Sequence, residues 1–511
     1  MTFPRRSGVL LHPTSLPGPH GSGDLGAAAY HFVDWLQAAR QSLWQVLPLN
    51  GIGPGNSPYM SPSAFAGNEL LIDLMQLREA GWLTDDEIVP DPALLHARVD
   101  YPEVQGFRMA RLRCAARQFF KHPHDAKHDA FAAFCAREQD WLDDYALFMA
   151  LSAVDAHGAP WQNWPTSLAL RKPKALRTAA EKQAGETNFW KFCQWQFFTQ
   201  WAALKGYANA RGVSIIGDVP IFVAAHSADV WAHRPLFDLD AGGHPRVVAG
   251  VPPDYFSATG QLWGNPLYLW PAHAAENYRW WAARMRQTLS TCDIVRIDHF
   301  RGFDSYWEIA GDAETAVDGC WRSGPGAALF VALDEILGVA PGQLPVIAED
   351  LGDITPAVTA MRLAVGLPGM RILQFAFDGQ PNNHYLPHNF EVNTVVYTGT
   401  HDNDTTCGWW AALAVHERDY VRRYLGMADN EIEIETELQE IHWNLIRAAS
   451  TSVAAQFIVP MQDVLGLDSS QRMNRPGDGE GAWGWRFIWD QVSPCHAEQL
   501  AELTQLYGRC A

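Results

Sequence analysis

The distribution of short apolar segments predicts an α/β fold: a (β/α)8 TIM barrel carrying inserted helical and loop-rich subdomains. Three observations point to it. Eight short apolar or β-branched runs end in polar residues, the pattern of buried strands. Helical patterns such as 27–40 and 278–289 lie between most of them, and alternation of strand and helix implies a parallel sheet. The 511 residues exceed a minimal barrel of about 250, but barrels absorb long insertions. An open doubly wound sheet is the alternative reading of the same pattern.

The runs, in order, are GVLLH (Gly8–His12), LWQVLPL (Leu43–Leu49), VSIIGD (Val213–Asp218) and DIVRID (Asp293–Asp298). They continue with PVIAE (Pro345–Glu349), ILQFAF (Ile372–Phe377), TVVY (Thr394–Tyr397) and QFIVP (Gln456–Pro460). More than 160 residues separate the second run from the third, too many for a loop. Helix-like stretches within that interval predict an inserted helical subdomain at about residues 80–190. A second insertion is expected at about 224–290, rich in Trp, Tyr and Gly and bordering the mouth of the barrel. The whole chain, 1–511, then reads as one catalytic domain.

Composition removes several function classes. The chain has 38 basic and 57 acidic side chains, a formal net charge of −19. Such a surface repels phosphate backbones and anionic lipid, so no nucleic-acid or membrane partner is expected. No apolar run approaches the roughly 18 residues of a spanning helix. Arg5 and Arg6 are followed by too short an apolar stretch for a secretion signal, which makes a cytoplasmic location the expectation. The eight cysteines are scattered without zinc-ligand spacing, so no metal site is expected. Gly21-Ser-Gly23-Asp-Leu-Gly26 matches a dinucleotide fingerprint. It begins nine residues after the strand, with three prolines between, and the next strand ends in Asn50 rather than an acidic residue.

Residues just past the C-terminal ends of barrel strands face the active-site mouth. Those positions hold Asp218, Asp298, Glu349 and, one short loop beyond Tyr397, Asp402. Arg296 lies two residues before Asp298 and shares its face of the strand. A guanidinium favours the ionised form of a neighbouring carboxylate, while a carboxyl in a less favourable place is pushed towards protonation. Glycosidic bond cleavage needs that division between two carboxyls. Any single Asp or Glu is more often an ion pair or a cap, but four at the ends of four strands are harder to explain so. Aromatic residues crowd the same regions, among them Tyr59, Tyr255, Phe256, Trp263, Tyr268 and Trp307. A sugar ring, with an apolar face and a polar rim, suits aromatic platforms beside carboxylates. Most of the 22 tryptophans are expected in the core, Trp35, Trp195 and Trp201 among them.

These segments resemble the 4-α-glucanotransferases of the amylomaltase (disproportionating enzyme) type, relatives of the α-amylase clan. The resemblance runs from LHPTSLPG (Leu11–Gly18) to MNRPG (Met473–Gly477), nearly the whole chain. Its most specific pieces are RIDHFRG (Arg296–Gly302), AEDLG (Ala348–Gly352) and YTGTHDND (Tyr397–Asp404). It implies that Asp298 is the nucleophile, Glu349 the general acid/base and Asp402 the transition-state stabiliser, with Arg296 holding the nucleophile ionised. It also implies that Ser57, Tyr59, Asp218, Trp263, Asn265, His299 and His401 match or adjoin sugar-binding residues. Tyr255 and Phe256 fall in a loop that overhangs the groove in the family. The implied reaction is transfer of α-1,4-glucan segments between malto-oligosaccharides, retaining configuration through a covalent glycosyl-Asp intermediate. No metal or organic cofactor is required. Hydrolysis of α-1,4-glucans in the manner of an amylase is the alternative. Two features depart from some members: longer relatives carry an extra N-terminal domain, and Glu69 stands where an uncharged residue is expected.

Overall fold

The computed structural model describes residues 3–94, 96–122, 127–154, 159–253, 257–427, 434–477 and 481–510, with the backbone alone for 434–439. Twelve strands are found among the described residues. They are β1 (Arg6–Leu10), β2 (Leu43–Gln45), β3 (Ser214–Pro220), β4 (Val247–Val251), β5 (Gln261–Pro266) and β6 (Ile294–Asp298), then β7 (Ser305–Ala310), β8 (Gly319–Ser323), β9 (Val346–Ala348), β10 (Gly369–Ile372), β11 (Thr394–Tyr397) and β12 (Gln456–Pro460).

Eight of these form one parallel sheet in the order β10-β11-β12-β1-β2-β3-β6-β9. The Ala348 amide donates to the Pro368 carbonyl at 3.0 Å, which joins the two ends of that order and makes a nearly closed barrel. Val9, Leu43, Ile215, Ile216, Val295, Val346, Val395 and Ile458 are fully buried, as expected of strands covered on both faces. Helices such as Ala27–Ala38, Arg279–Thr291, Ala327–Leu337 and Pro356–Ala364 follow their strands and cover the outside.

The expected eight strands are all present, and the sixth is displaced. The strand is Gly369–Ile372, and Leu373–Phe375 turns into a 3-10 helix. Pairing with β11 runs only from Gly369↔Thr394 to Ile372↔Tyr397. Beyond it the chain bends, and Gln374 donates to the Asp404 carbonyl at 2.8 Å, so this segment supports the next loop instead of extending the sheet.

The long interval between β2 and β3 holds the helices Tyr101–Lys121, Lys127–Arg137, Gln139–Val154, Pro173–Lys182 and Ala184–Ala210. Trp82, Phe119, Phe192 and Trp195 form an aromatic cluster there, with ring centroids 5.2–6.0 Å apart. Trp35, Trp195 and Trp201 are core residues. β4 and β5 pair with β7 and β8, which lie beyond the expected bounds of 224–290, in a four-stranded antiparallel sheet, order β5-β4-β7-β8. The glycine-rich stretch near residue 21 is a packing motif. A side chain on Gly23 would meet the Pro13 carbonyl at 2.0 Å, and Asp24 is paired with buried Arg108 at 2.9 Å.

Candidate active site

Strand register assembles the site. Asp218 on β3 lies opposite Arg296 on β6, and Pro220 opposite Asp298. On the other side of β6, Ile297 pairs with Ala348 of β9. The Glu349 amide then donates to the Ile297 carbonyl at 3.0 Å, and the Phe300 amide to the Glu349 carbonyl at 3.1 Å. Asp298 and Glu349 therefore leave adjacent strands at the same rim of the barrel, where adjacent strands are about 4.8 Å apart.

Arg296 is the electrostatic centre. Its Nη1 donates to both carboxylate oxygens of Asp218 at 2.7 Å, and its Nη2 to Asp298 Oδ1 at 2.9 Å. Burial lowers its proton affinity, but Asp218 and Asp298 outweigh that and hold its pKa well above the ordinary arginine value. Tyr59 donates its hydroxyl to Asp218 Oδ2 at 2.8 Å and meets His401 Nε2 at 3.0 Å. His401 Nε2 in turn lies 3.3 Å from Asp402 Oδ2. A continuous polar chain thus runs Asp298–Arg296–Asp218–Tyr59–His401–Asp402.

The carboxyls along this rim differ in proton affinity. Burial, reinforced by Asp298, pushes Glu349 up to about 7, against the opposing pull of Arg296 and of two backbone amides. Those amides are His299 N–H, donating to Oε2 at 2.6 Å, and Leu351 N–H, donating to Oε1 at 3.0 Å. Burial also raises Asp402, but His401 and the Asn474 amide prevail and bring it to about 2. One carboxyl is thus poised to give and take a proton near neutrality, and another stays charged across the working range.

His299 follows Asp298 in the left-handed region, φ +54° and ψ +48°. That conformation costs a non-glycine residue roughly 1–3 kcal/mol. The His299 amide points at Glu349, so this turn holds the Glu349 carboxyl beside Asp298. Burial lowers the imidazole to about 4, leaving it neutral. The Trp263 ring meets it edge-on at 4.9 Å.

Other expected residues have different placements. The Ser57 hydroxyl accepts the Tyr59 amide at 3.2 Å and caps the 3-10 turn Pro58–Met60, so it orients Tyr59. Asn265 is buried and donates to the Val223 carbonyl at 2.9 Å. Tyr255 and Phe256 lie outside the described residues. Burial raises Glu69 to about 7, and nothing in the structure explains why a carboxyl stands there.

Sequence reasoning missed three contributors. Asn474 Nδ2 donates to Asp402 Oδ1 at 2.6 Å, and Arg472 Nη2 to the Asp402 carbonyl at 2.8 Å. Trp483, with φ +64°, packs 5.5 Å from Tyr59 and 5.8 Å from His401. The segment Met473–Gly477 was the available signal, because it contains Asn474. Among the described residues no group of three or more His, Cys, Asp or Glu side chains is placed to hold a metal ion, and no helix is long and apolar enough to cross a membrane.

Arg296→Met tests this electrostatic arrangement. It leaves the buried Asp218 carboxylate with the Tyr59 hydroxyl and the more distant His401, but no guanidinium. Breaking a buried pair from one side costs about 3–5 kcal/mol, so chemical denaturation at pH 7 should show a loss of that order. A loss below about 1 kcal/mol contradicts a structural role for the pair.

Comparison with known proteins points to one family. A family profile described as 4-alpha-glucanotransferase matches residues 11–490. The 4-alpha-glucanotransferase of Thermus thermophilus is 49% identical, with both chains covered in full. The Arabidopsis thaliana protein 4-alpha-glucanotransferase DPE1, chloroplastic/amyloplastic, is 43% identical over 99% of this chain and 86% of its own. The solved amylomaltase from Streptococcus agalactiae in complex with acarbose superposes with a TM-score of 0.93 at 38% identity, covering 99% of this chain and all of that one. The chain belongs to the 4-alpha-glucanotransferase family of enzymes.

Proposed function

We propose that the protein transfers α-1,4-glucan segments between malto-oligosaccharides in the cytoplasm by a retaining double displacement, with neutral glucans rather than nucleic acids as its partners. The observation that carries this reading is the pairing of Glu349, held near pH 7, with Asp298 braced by Arg296 on the neighbouring strand. Protonated Glu349 donates its proton to the leaving glycosidic oxygen. An Asp298 oxygen attacks the anomeric carbon as the C–O bond breaks, which gives a glycosyl ester and frees the reducing-end fragment. Glu349, now a carboxylate, takes the proton of an incoming 4-hydroxyl, and that oxygen displaces Asp298 with a second inversion. Asp402, kept charged by His401 and Asn474, stabilises positive charge on the sugar in both transition states.

Trp263 beside His299 offers a stacking surface next to the nucleophile, and Tyr59 and His401 offer polar atoms to sugar hydroxyls. Tyr255 and Phe256 are assigned to the same groove on the resemblance alone. The acceptor decides between transfer and hydrolysis. Incubation with pure maltotriose should give glucose and a ladder of longer oligomers. Products no longer than maltotriose would instead establish the hydrolase.

A further inference from the structure

We propose that Asp350, the carboxyl next to Glu349, is a positioning residue for the proton transfer. It replaces a missing rung at the seam of the barrel and so holds Glu349 at the rim, a role that rests on the reading of Glu349 as the acid for the leaving oxygen.

The seam lies between β9 and β10, the two ends of the eight-stranded order. No ladder pairs these two strands among the described residues, and their backbones meet through one hydrogen bond, from the Ala348 amide to the Pro368 carbonyl at 3.0 Å. In a regular parallel ladder the bonds are evenly spaced, and one residue bonds to two partners that are two positions apart. The next rung would therefore run from the Met370 amide to the Ala348 carbonyl. The Met370 amide instead donates to Asp350 Oδ1 at 2.7 Å. A side chain just past the end of β9 has taken the place of a strand carbonyl.

The other oxygen is held by two cations. Asp350 is buried, and its Oδ2 lies 3.1 Å from Arg362 Nε and 3.5 Å from Arg371 Nη1. Arg362 sits on helix Pro356–Ala364 and also donates to the Leu367 carbonyl at 2.9 Å. It thus ties the helix after β9 to the turn that enters β10. Arg371 belongs to β10 itself. Charge-assisted contacts on both oxygens fix the orientation of the carboxyl.

Glu349 is thereby secured from two sides. On the β6 side its amide and carbonyl bond to Ile297 and Phe300. On the β10 side Asp350 anchors the next residue of the chain, and the Leu351 amide beyond it donates to Glu349 Oε1 at 3.0 Å. Without Asp350 the Glu349 segment is held along one edge only. A misplacement of about 1 Å at a reacting group costs on the order of 10²-fold in rate.

The leaving group separates this role from a merely structural one. Asp350→Ala should lower kcat for maltotriose about 10²-fold, with KM within about threefold of wild type. In single turnovers with α-maltosyl fluoride, fluoride release should stay within about threefold of wild type, because fluoride departs without a proton from Glu349. Retained fluoride release also shows that the variant folds. Glu349→Gln is the control and should show the same split between the two substrates. If Asp350→Ala does not fold, Arg371→Gln decides: it keeps the Met370 bond, loosens Oδ2 and should show the split on a smaller scale. Where Glu349→Gln shows the split, equal slowing of both substrates by the folded variant, or slowing of neither, overturns the positioning role. Equal slowing of both by Glu349→Gln instead overturns the reading of Glu349 as the acid, and the role of Asp350 with it.

Discussion

Asp298→Ala lowers the rate of glucose release from maltotriose by about 10⁴-fold or more, the scale on which loss of a nucleophile is felt, and leaves maltotriose binding largely intact. The expectation follows from the way the site is braced. Arg296 keeps the contact of its Nη1 with both oxygens of Asp218 when Asp298 is removed, so no buried cation is stranded. Asp298 is partly open to the groove, its side chain 29% exposed, and truncation leaves little cavity. The loss therefore falls on kcat. Single-turnover rates and calorimetric binding separate the two effects. A variant that retains more than a tenth of the wild-type rate contradicts the role given to Asp298.

Glu349→Gln should lose activity on natural glucans to a similar extent and change two pH dependences. In the wild type, Glu349 must be protonated to assist departure of the leaving sugar, and its pKa is about 7. The kcat/KM for maltotriose should therefore fall as pH rises through about 7. The stability effect has a definite sign. A carboxyl raised in the folded state to about 7 from the ordinary 4.5 costs nothing below the unfolded value. The cost grows between about 4.5 and 7 and is complete above that. The glutamine variant escapes it, while losing one of the two amide bonds that the carboxylate accepts, worth about 1 kcal/mol. The net gain at pH 8 should be about 1–3 kcal/mol, with none at pH 4.5. Equal shifts in melting temperature at both pH values would show that Glu349 is not held in its protonated form by burial.

Much of the barrel was legible because parallel strands covered on both faces read as uninterrupted apolar runs. VVY at 395–397 and FIV at 457–459 need no partner information to be recognised. The sixth strand was misplaced for the same reason: LQFAF after Ile372 is as apolar as a strand, and only its support of the Asp404 loop bends it away. The small sheet went unread. Its strands are short and irregular, with a register shift between Val248 and Gly250, and β8 is largely exposed, so neither period nor burial marks them.

The site shows the same division. Asp218, Arg296, Asp298 and Glu349 sit at strand ends, where alternation fixes the direction of a side chain. Asp402 follows its strand closely enough to share that logic. Asn474 and Trp483 arrive from the segment after β12, more than 70 residues further along the chain, and are joined to Asp402 and Tyr59 only by the tertiary fold. Asn265 and Ser57 lie in the expected segments, yet their side chains are bonded to the protein itself, a distinction that a sequence pattern does not carry.

The central claim, a covalent ester on Asp298, is tested most directly by mass spectrometry. Glu349→Gln incubated with α-maltosyl fluoride should complete the first displacement, because fluoride leaves without acid assistance. The second displacement should stall for want of a base, so that the ester accumulates. The peptide containing Asp298 is then expected to carry one maltosyl unit and to lose it when azide, a nucleophile that needs no general base, is added. Label on any other residue, or steady release of the inverted β-product with no labelled enzyme, would contradict the account.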